Sequence, residues 1–189
     1  MFVGRKKELD ALNSRYKSNR KEFGVLYGRR RIGKSSILNE FLKDKKGILF
    51  QAKQDNSYGN LKSFSYEVDH LLNLPDTFVF ASWQHAFKSI QEYAKNERFV
   101  LIIDEYPYIV SQDSSFSSVL QEFIDHTSDN MMVILSGSDI GFLQREIQNH
   151  ASPLYKRRTF EMEIKKMNFM DAKEFVKMED VESQANYLC

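Results

Sequence analysis

The 189-residue sequence predicts an α/β fold in which a parallel sheet of five strands is covered by helices on both faces. Short apolar runs, typical of buried strands, alternate along the chain with segments whose apolar residues recur every three or four positions, as in amphipathic helices. A loop containing glycines follows the first apolar run, and an acidic pair ends the third. Open α/β sheets place their ligands at such carboxyl ends of strands.

The predicted strands are the apolar runs at residues 23–27, 47–52, 98–104, 131–135 and 160–164. Helical spacing of apolar residues predicts helices around residues 9–16, 37–42, 61–72, 83–93 and 116–124. Pro75 is expected to close the third helix, and the serine-rich residues 111–118 are predicted as a loop. In the fifth strand apolar residues alternate with Glu and Lys, so we expect one wetter face.

Composition limits the classes of protein to which the chain can belong. With 42% hydrophobic residues, its length supports one domain with a substantial core. The 27 basic and 26 acidic side chains leave a net charge of +1, so no overall basic field points to nucleic acid. Cys189 is the single cysteine, which excludes an internal disulfide and favours the reducing cytoplasm. We expect neither a secretory signal nor a membrane span, because Arg5 and Lys6 stand where a signal needs apolar residues.

Residues 28–35, Gly-Arg-Arg-Arg-Ile-Gly-Lys-Ser, have the spacing of a phosphate-binding loop. Glycines let the backbone approach an anion closely, so that successive amides can surround it, and the start of the following helix adds positive charge. Lys34 is suited to reach the β- and γ-phosphates. The expected nucleotide contacts of this segment are Gly28, Arg29, Arg30, Arg31, Ile32, Gly33, Lys34, Ser35 and Ser36. The alternative is a basic turn that merely contains glycine.

The acidic pair at the end of the third predicted strand suits metal binding and water activation. Asp104 can meet Mg²⁺ through water or beside the Ser35 hydroxyl, so Ser35 and Asp104 are the predicted metal ligands. Glu105 is one residue further out and is the predicted general base for a water molecule. Alternatively, both are ordinary surface acids at a strand terminus.

Two further polar segments are candidates for the same site. Ser136 to Asp139 follow the fourth predicted strand, where Ser136 or Ser138 could sense the γ-phosphate; the alternative is a helix-capping serine. The basic residues 156–158 precede the fifth strand, and an arginine there could stabilise phosphoryl charge in cis or from a neighbouring subunit. The alternative for that segment is a solvated basic turn.

Together these motifs resemble the AAA+-related ATPases found mainly in archaea and also in bacteria, a branch near the STAND NTPases. Residues 2–9, Phe-Val-Gly-Arg-Lys-Lys-Glu-Leu, resemble that family's opening motif, and residues 28–35 its Walker A motif. Residues 100–108, Val-Leu-Ile-Ile-Asp-Glu-Tyr-Pro-Tyr, resemble its Walker B motif with an aromatic-proline-aromatic tail. Residues 136–138 and 152–159 resemble its sensor-1 region and a following arginine motif.

The resemblance implies a P-loop NTPase fold with strand order 5-1-4-3-2 and a catalytic role for Glu105. It also implies that Gly4 and Arg5 lie near the adenine, that Ser136 is close to the phosphates, and that Arg157 or Arg158 is near the nucleotide. Lys156 departs from the pattern, since relatives often have glycine there. Residues 1–165 correspond to the ATPase core, and residues 166–189, with a helix over 168–177, to the start of a helical lid that is truncated relative to such proteins.

The expected function is therefore binding and hydrolysis of ATP with Mg²⁺, with Glu105, Lys34 and Arg158 as catalytic residues, driving or gating an attached module. Two alternatives stay open: a nucleotide-gated switch with little turnover, and a small-molecule kinase with residues 155–158 as a basic lid. A GTPase is less favoured, because the chain has no Asn-Lys-x-Asp motif. A homo-oligomer is possible, and nucleic acid is expected only through modules absent from this chain.

Overall fold

A computed structural model of the protein describes residues 4–72 and 78–167. Five strands form one parallel sheet in the order β2-β3-β4-β1-β5, which confirms the predicted order read from the other edge. The strands are β1 (Glu22–Tyr27), β2 (Gly47–Gln51), β3 (Phe99–Asp104), β4 (Met131–Gly137) and β5 (Phe160–Glu163). β1, β3 and β4 are buried along their whole length, as their apolar stretches predict, and the buried polar residues Glu22, Asp104 and Ser136 lie at or near their ends.

Seven helices connect and cover the strands in the described residues. They are α1 (Lys6–Tyr16), α2 (Lys34–Leu42), α3 (Ser57–Leu72), α4 (Trp83–Tyr93), α5 (Pro107–Gln112), α6 (Phe116–His126) and α7 (Ile140–Gln148). Within these residues, no helix is both long and apolar enough to cross a membrane.

The core is divided into two clusters by the sheet. One cluster packs α1 and α2, through Leu12, Ile37 and Phe41, against one face of the strands. The other packs α3 to α7 against the opposite face and is rich in aromatic rings, including Trp83 and Phe87. Helices therefore cover both faces, as the alternation of strand and helix patterns predicts.

The fifth strand has the predicted wetter face. Phe160 and Ile164 are buried, whereas Glu161 and Glu163 are exposed. β5 pairs with β1 in parallel, with Tyr27 opposite Glu163, so its carboxyl end reaches the level at which the phosphate loop begins. This strand closes one side of the region in which the predicted site lies.

The serine-rich loop is shorter than predicted, which corrects the assignment of residues 111–118. Ser111 and Gln112 end α5, and α6 already begins at Phe116. Only one residue of α5, Ile109, is buried, so the six-residue helix leaves almost no apolar periodicity to detect. Between the helices, Asp113 accepts hydrogen bonds from the amide and the hydroxyl of Ser115 and so fixes a tight turn.

Candidate nucleotide-binding site

The phosphate loop connects the carboxyl end of β1 to the start of α2. Gly33 has φ 89° and Arg31 has φ 61°, so the loop needs two left-handed residues within three positions. At Gly28 the reason for glycine is different, because a Cβ there would lie 2.3 Å from the carbonyl oxygen of Ile164. Gly33 precedes α2 and has no side chain to cap it, so the first-turn amides of α2 are available to an anion.

Lys34 is buried in this loop with only 6% of its surface exposed. Its ammonium donates hydrogen bonds to the carbonyl oxygens of Gly28, at 2.9 Å, and Arg29, at 3.1 Å. Burial lowers the pKa of Lys34 below its ordinary value, against the opposing influence of the Glu105 and Asp104 carboxylates. Among residues 4–72 and 78–167, the partners of this ammonium at hydrogen-bond distance are carbonyl oxygens and not carboxylates.

Ser35 and Asp104 meet across the site. The Ser35 hydroxyl, in the first turn of α2, donates a hydrogen bond of 2.6 Å to Oδ2 of Asp104. Asp104 is fully buried at the carboxyl end of β3. The structure therefore brings together the two residues predicted as metal ligands, 69 positions apart in the chain.

Glu105 leaves the strand in a left-handed conformation, with φ 52°. Its carboxylate accepts hydrogen bonds from the hydroxyl of Ser138, at 3.1 Å, and from the Ser138 amide, at 3.3 Å. Arg30 continues this network, since it donates to the Ser138 hydroxyl at 3.3 Å and to the Tyr108 hydroxyl at 3.0 Å. One chain of hydrogen bonds therefore connects the phosphate loop, the acidic pair and the turn after β4.

Ser136 lies inside the sheet, directly opposite Leu26 of β1. Side chains alternate along a strand, so Ser136 faces the same side as Met132 and Ile134, which pack under α1 and α2. Its hydroxyl is buried without a hydrogen-bond partner among the described residues. Such an unpaired buried hydroxyl is costly unless it has a functional partner.

The turn after β4 does not use a serine as helix cap. Asp139 caps α7 by accepting a hydrogen bond of 2.8 Å from the Phe142 amide. Ser138 instead binds the Glu105 carboxylate. The capping residue is therefore Asp139 and not a serine, which corrects the alternative prediction for this segment.

The opening motif contacts the phosphate loop through the side chain of Arg5. Gly4 and Arg5 have φ 73° and 60°, and this double left-handed turn leads into α1. The buried Arg5 guanidinium donates to the Ile32 carbonyl at 2.7 Å and pairs with Glu8 at 2.9 Å. Phe2 and Val3 of the motif lie outside the described residues.

The remaining loop residues are open to solvent. Arg29, Arg31 and Ser36 are exposed, and Ile32 is half-buried. Arg29 and Ile32 line a cleft of about 310 Å³ together with Ile140 of α7 and residues 163–166. The cleft lies beside the start of the loop, at the carboxyl end of β5.

Arg157 and Arg158 lie at the opposite, amino edge of the sheet. Arg157 makes two hydrogen bonds to the Asp125 carboxylate, of 2.8 and 2.9 Å. Arg158 pairs with Glu161 at 2.8 Å and donates to the Ile147 carbonyl at 3.1 Å. The following residue, Thr159, bonds to the Phe23 carbonyl near the beginning of β1. The structure therefore does not bring these arginines to the phosphate loop of their own chain.

Lys156 has φ 57°, so a left-handed residue stands where the resembling sequences often have glycine. The turn is retained although the glycine is absent.

Two site residues carry interactions that the sequence alone does not predict, Tyr106 and Tyr108. The aromatic-proline-aromatic tail gives the only signal for them. Tyr108 holds Arg30, and Tyr106 is fully buried behind Glu105. Their partners on α6, α7 and the loop are distant in sequence, so spacing could not indicate them.

Comparison with known families shows a match over residues 2–186 to the model of an ATPase domain found predominantly in archaea. Among curated proteins, an uncharacterized protein of Methanocaldococcus jannaschii is 30% identical over 177 residues, which cover 93% of this chain and 38% of that protein. An uncharacterized ATP-binding protein of the same organism is 46% identical over 46 residues, 24% of this chain and 78% of that protein. The chain therefore spans well under half of the first relative.

Solved structures show the same fold. The Walker-type ATPase of Pyrococcus abyssi superposes with a TM-score of 0.78 at 21% identity, covering 97% of this chain and 59% of that one. The ORC1 protein of Aeropyrum pernix, solved in complex with DNA, superposes with a TM-score of 0.69 at 12% identity, covering 96% of this chain and 50% of that one. Both neighbours extend well beyond the region shared with this chain.

Proposed function

The chain belongs to the family of ATPase domains found predominantly in archaea, and on that premise we propose that it binds ATP with Mg²⁺ at the phosphate loop and hydrolyses it. The observation that supports this most strongly is the 2.6 Å hydrogen bond between Ser35 and Asp104. It connects the loop to the carboxyl end of β3, where the acidic pair lies. Binding and hydrolysis need these two segments in contact.

Phosphate binding is assigned to the loop and the start of α2. The first turn of α2, which no side chain caps, favours an anion. Lys34 lies in the same loop, and a phosphate oxygen would be a stronger acceptor for its ammonium than the carbonyls of Gly28 and Arg29. The cleft beside Arg29 and Ile32 is proposed to take the adenosine part, with Gly4 and Arg5 supporting the loop from behind.

The donor set fits Mg²⁺. Among residues 4–72 and 78–167, no three His, Cys, Asp or Glu side chains converge as a metal cluster. Mg²⁺ bound with nucleotides needs no such cluster, because one or two protein oxygens and the phosphates suffice. Ser35 and Asp104 would supply those oxygens. When bound, the ion neutralises charge on the phosphate oxygens.

Glu105 is proposed as the general base. Its carboxylate lies one residue beyond Asp104, outside the strand, where it can accept a proton from the water that attacks the γ-phosphorus. Ser136 is proposed to contact the phosphates or that water, because its buried hydroxyl has no partner among the described residues. Lys34 would stabilise the charge that develops on the transferred group.

Arg158 is proposed to act in trans, on a nucleotide bound by a neighbouring subunit. Its position at the amino edge of the sheet supports no contact with the phosphates of its own chain. An arginine supplied by a neighbouring subunit is an established way to stabilise phosphoryl transfer. The proposal therefore requires a homo-oligomer.

A nucleotide-gated switch with rare turnover is the second candidate function. The Glu105 carboxylate is engaged by the amide and hydroxyl of Ser138, which compete with a water molecule for it. In either case the use of the nucleotide cycle is proposed to lie in modules outside these residues, since the relatives are much longer. Any contact with nucleic acid would belong to such modules.

Replacing Glu105 with Gln separates the two candidates. For a hydrolase, turnover should fall by about a hundredfold or more, the contribution expected of a general base, while ATP affinity stays within about twofold. For a switch, the variant should change little. The measurement combines phosphate release with equilibrium binding, and Glu92→Gln, an exposed change on α4, serves as the control.

A further inference from the structure

Tyr106 follows Glu105 directly and is the largest fully buried side chain near the site. It is fully buried, and its hydroxyl lies 2.7 Å from Oγ of Ser117 and donates to Oε2 of Glu146 at 2.9 Å. Ser117 also donates to the same Glu146 oxygen at 2.9 Å. This triad, Tyr106, Ser117 and Glu146, connects the acidic-pair segment to α6 and α7.

The backbone and ring of Tyr106 are held as well. Its amide donates to the Ser136 carbonyl at 3.0 Å, so the residue after Glu105 is tied to the end of β4. Its ring centroid lies 6.0 Å from those of Phe116 on α6 and Phe142 on α7. Tyr106 is thus fixed at its amide, its ring and its hydroxyl.

Glu105 needs such an anchor because of its conformation. A non-glycine residue with φ 52° keeps that conformation only when its surroundings enforce it. Asp104 fixes the preceding position within β3, and Tyr106 fixes the following one. The direction of the Glu105 carboxylate therefore depends on both neighbours.

Helix α7 and the turn before it hold the segment of Glu105 and Tyr106 at two points. The turn that leads into it carries Ser138, which binds the Glu105 carboxylate directly. Its second turn carries Glu146, which accepts the hydrogen bond of the Tyr106 hydroxyl. A displacement of α7 would therefore alter the carboxylate of Glu105 through a side-chain contact and through the backbone together.

We propose that Tyr106 is a positioning residue for hydrolysis: its hydroxyl, bound to Glu146 of α7, sets the left-handed turn at Glu105 and hence the direction of the catalytic carboxylate. This inference rests on the proposed role of Glu105 and assigns a purpose to the tyrosine in the aromatic-proline-aromatic tail. The phenol stays a donor throughout the neutral range, because burial and then the Glu146 carboxylate raise the pKa of Tyr106 well above its ordinary value.

Tyr106→Phe tests the proposal, since it keeps the ring and removes only the hydroxyl. The Glu146 carboxylate retains the hydrogen bond from Ser117, so no buried charge is left without a donor. We expect kcat to fall by about tenfold or more while the Kd for ATP stays within about twofold, because a misdirected base slows the chemical step and not binding.

Ser117→Ala is the matched control. It removes the other donor to Glu146 and leaves the Tyr106 hydroxyl in place, so kcat should stay within about twofold of the wild type. Equal losses of kcat in the two variants, or no loss in Tyr106→Phe, would overturn the proposal, because the triad would then be merely structural. If Tyr106→Phe fails to fold, Glu146→Leu replaces it, because leucine removes the acceptor on α7 while the Tyr106 and Ser117 hydroxyls can still bond to each other. The same split between kcat and Kd is expected.

A second readout needs no turnover. In nucleotide-free protein, hydrogen exchange of the Ser138 amide reports on its bond to Glu105. It should accelerate in Tyr106→Phe and not in Ser117→Ala; equal exchange in both would count against positioning. A wild type without ATP turnover would refute the proposed hydrolysis, whereas the exchange comparison would still decide whether Tyr106 orients Glu105.

Discussion

At the scale of single residues, Lys34 carries the charge on which we propose that nucleotide binding depends. It is buried between the loop carbonyls, and burial lowers its pKa. A bound triphosphate would place negative charge beside the ammonium and raise that pKa again. Binding should therefore be linked to proton uptake wherever the free protein has begun to lose the Lys34 proton.

The sign of this linkage gives a prediction for alkaline pH. Between the lowered pKa of free Lys34 and its raised value in the complex, the complex holds more protons, so ATP affinity falls as the pH increases. The fall should be evident at pH values below the ordinary 10.5 of a lysine. Titration calorimetry in buffers of different ionisation enthalpy measures both the affinity and the protons taken up.

Lys34→Arg is the control for that titration, because arginine keeps its charge throughout this range. The variant should bind ATP without pH dependence in the same window. If it shows the slope of the wild type, the linkage belongs to another group and the assignment to Lys34 is wrong.

The sequence could predict the residues of the phosphate loop because their spacing is local. Residues 28–35 form one continuous segment. The motif, together with the predicted strand before it and the predicted helix after it, was therefore enough to identify the loop. The contact between Ser138 and Glu105 spans 33 positions and depends on β4 lying next to β3. Spacing alone could not predict that contact, or the attachment of Arg30 to Tyr108, which spans 78.

At the scale of secondary structure, long apolar patterns were predictable and short helices were not. The first four strands were assigned to within two residues of their ends, since each contains a continuous run of apolar residues. Helices α5 and α7 were missed because they have six and nine residues and bury few side chains. Assignments over residues 73–77 and 168–189, including Pro75 and the lid helix expected over 168–177, fall outside the described residues.

The turn before β5 supplies a stability prediction. Lys156 adopts φ 57°, which costs an L-residue about 1–2 kcal/mol. Lys156→Gly removes that cost but adds freedom to the unfolded chain and loses an exposed contact with the Tyr155 ring. We expect a net gain of about 0.5–1 kcal/mol in the free energy of unfolding.

Chemical denaturation of both proteins measures this difference. Lys166→Gly, at an exposed position without positive φ, is the control and should be neutral or destabilising. A destabilised Lys156→Gly protein would show that the lysine side chain outweighs the backbone strain.

At the scale of the whole molecule, the two edges of the sheet have different roles. The carboxyl edge carries the loop, the acidic pair and the turn after β4. The amino edge carries interactions that hold segments together: buried Glu22, at the start of β1, accepts hydrogen bonds from Ser18 and Arg20 in the loop after α1 and from Thr159 just before β5. Arg157 similarly joins α6 to the turn before β5.

Arg158, at the amino edge, can act at a phosphate loop only if that loop belongs to a second subunit. Arg158→Ala should leave the ATP affinity of dilute protein unchanged within about twofold, because the arginine is far from its own loop. If it acts in trans, the wild type should show turnover per molecule that rises with protein concentration, and the variant should lose that rise. Phosphate release measured across a concentration series checks this.

Mixing variants sharpens the test of Arg158. Glu105→Gln supplies an intact Arg158, and Arg158→Ala supplies an intact Glu105, so a mixture should recover turnover that neither shows alone. Arg145→Ala, an exposed change on α7, serves as control. A concentration series in which Arg158→Ala matches the wild type throughout would leave Arg158 with a structural role only.

The central claim is that the loop after β1 holds a triphosphate whose metal is bound by Ser35 and Asp104. Calorimetric titration with ATP, ADP and GTP, with and without Mg²⁺, tests it most directly when wild type and Lys34→Ala are compared. We predict binding of ATP that is strengthened by Mg²⁺ and weakened at least about tenfold in Lys34→Ala, the loss expected when a charge-assisted hydrogen bond is removed. A wild-type protein that binds none of the three nucleotides at millimolar concentration would contradict the account.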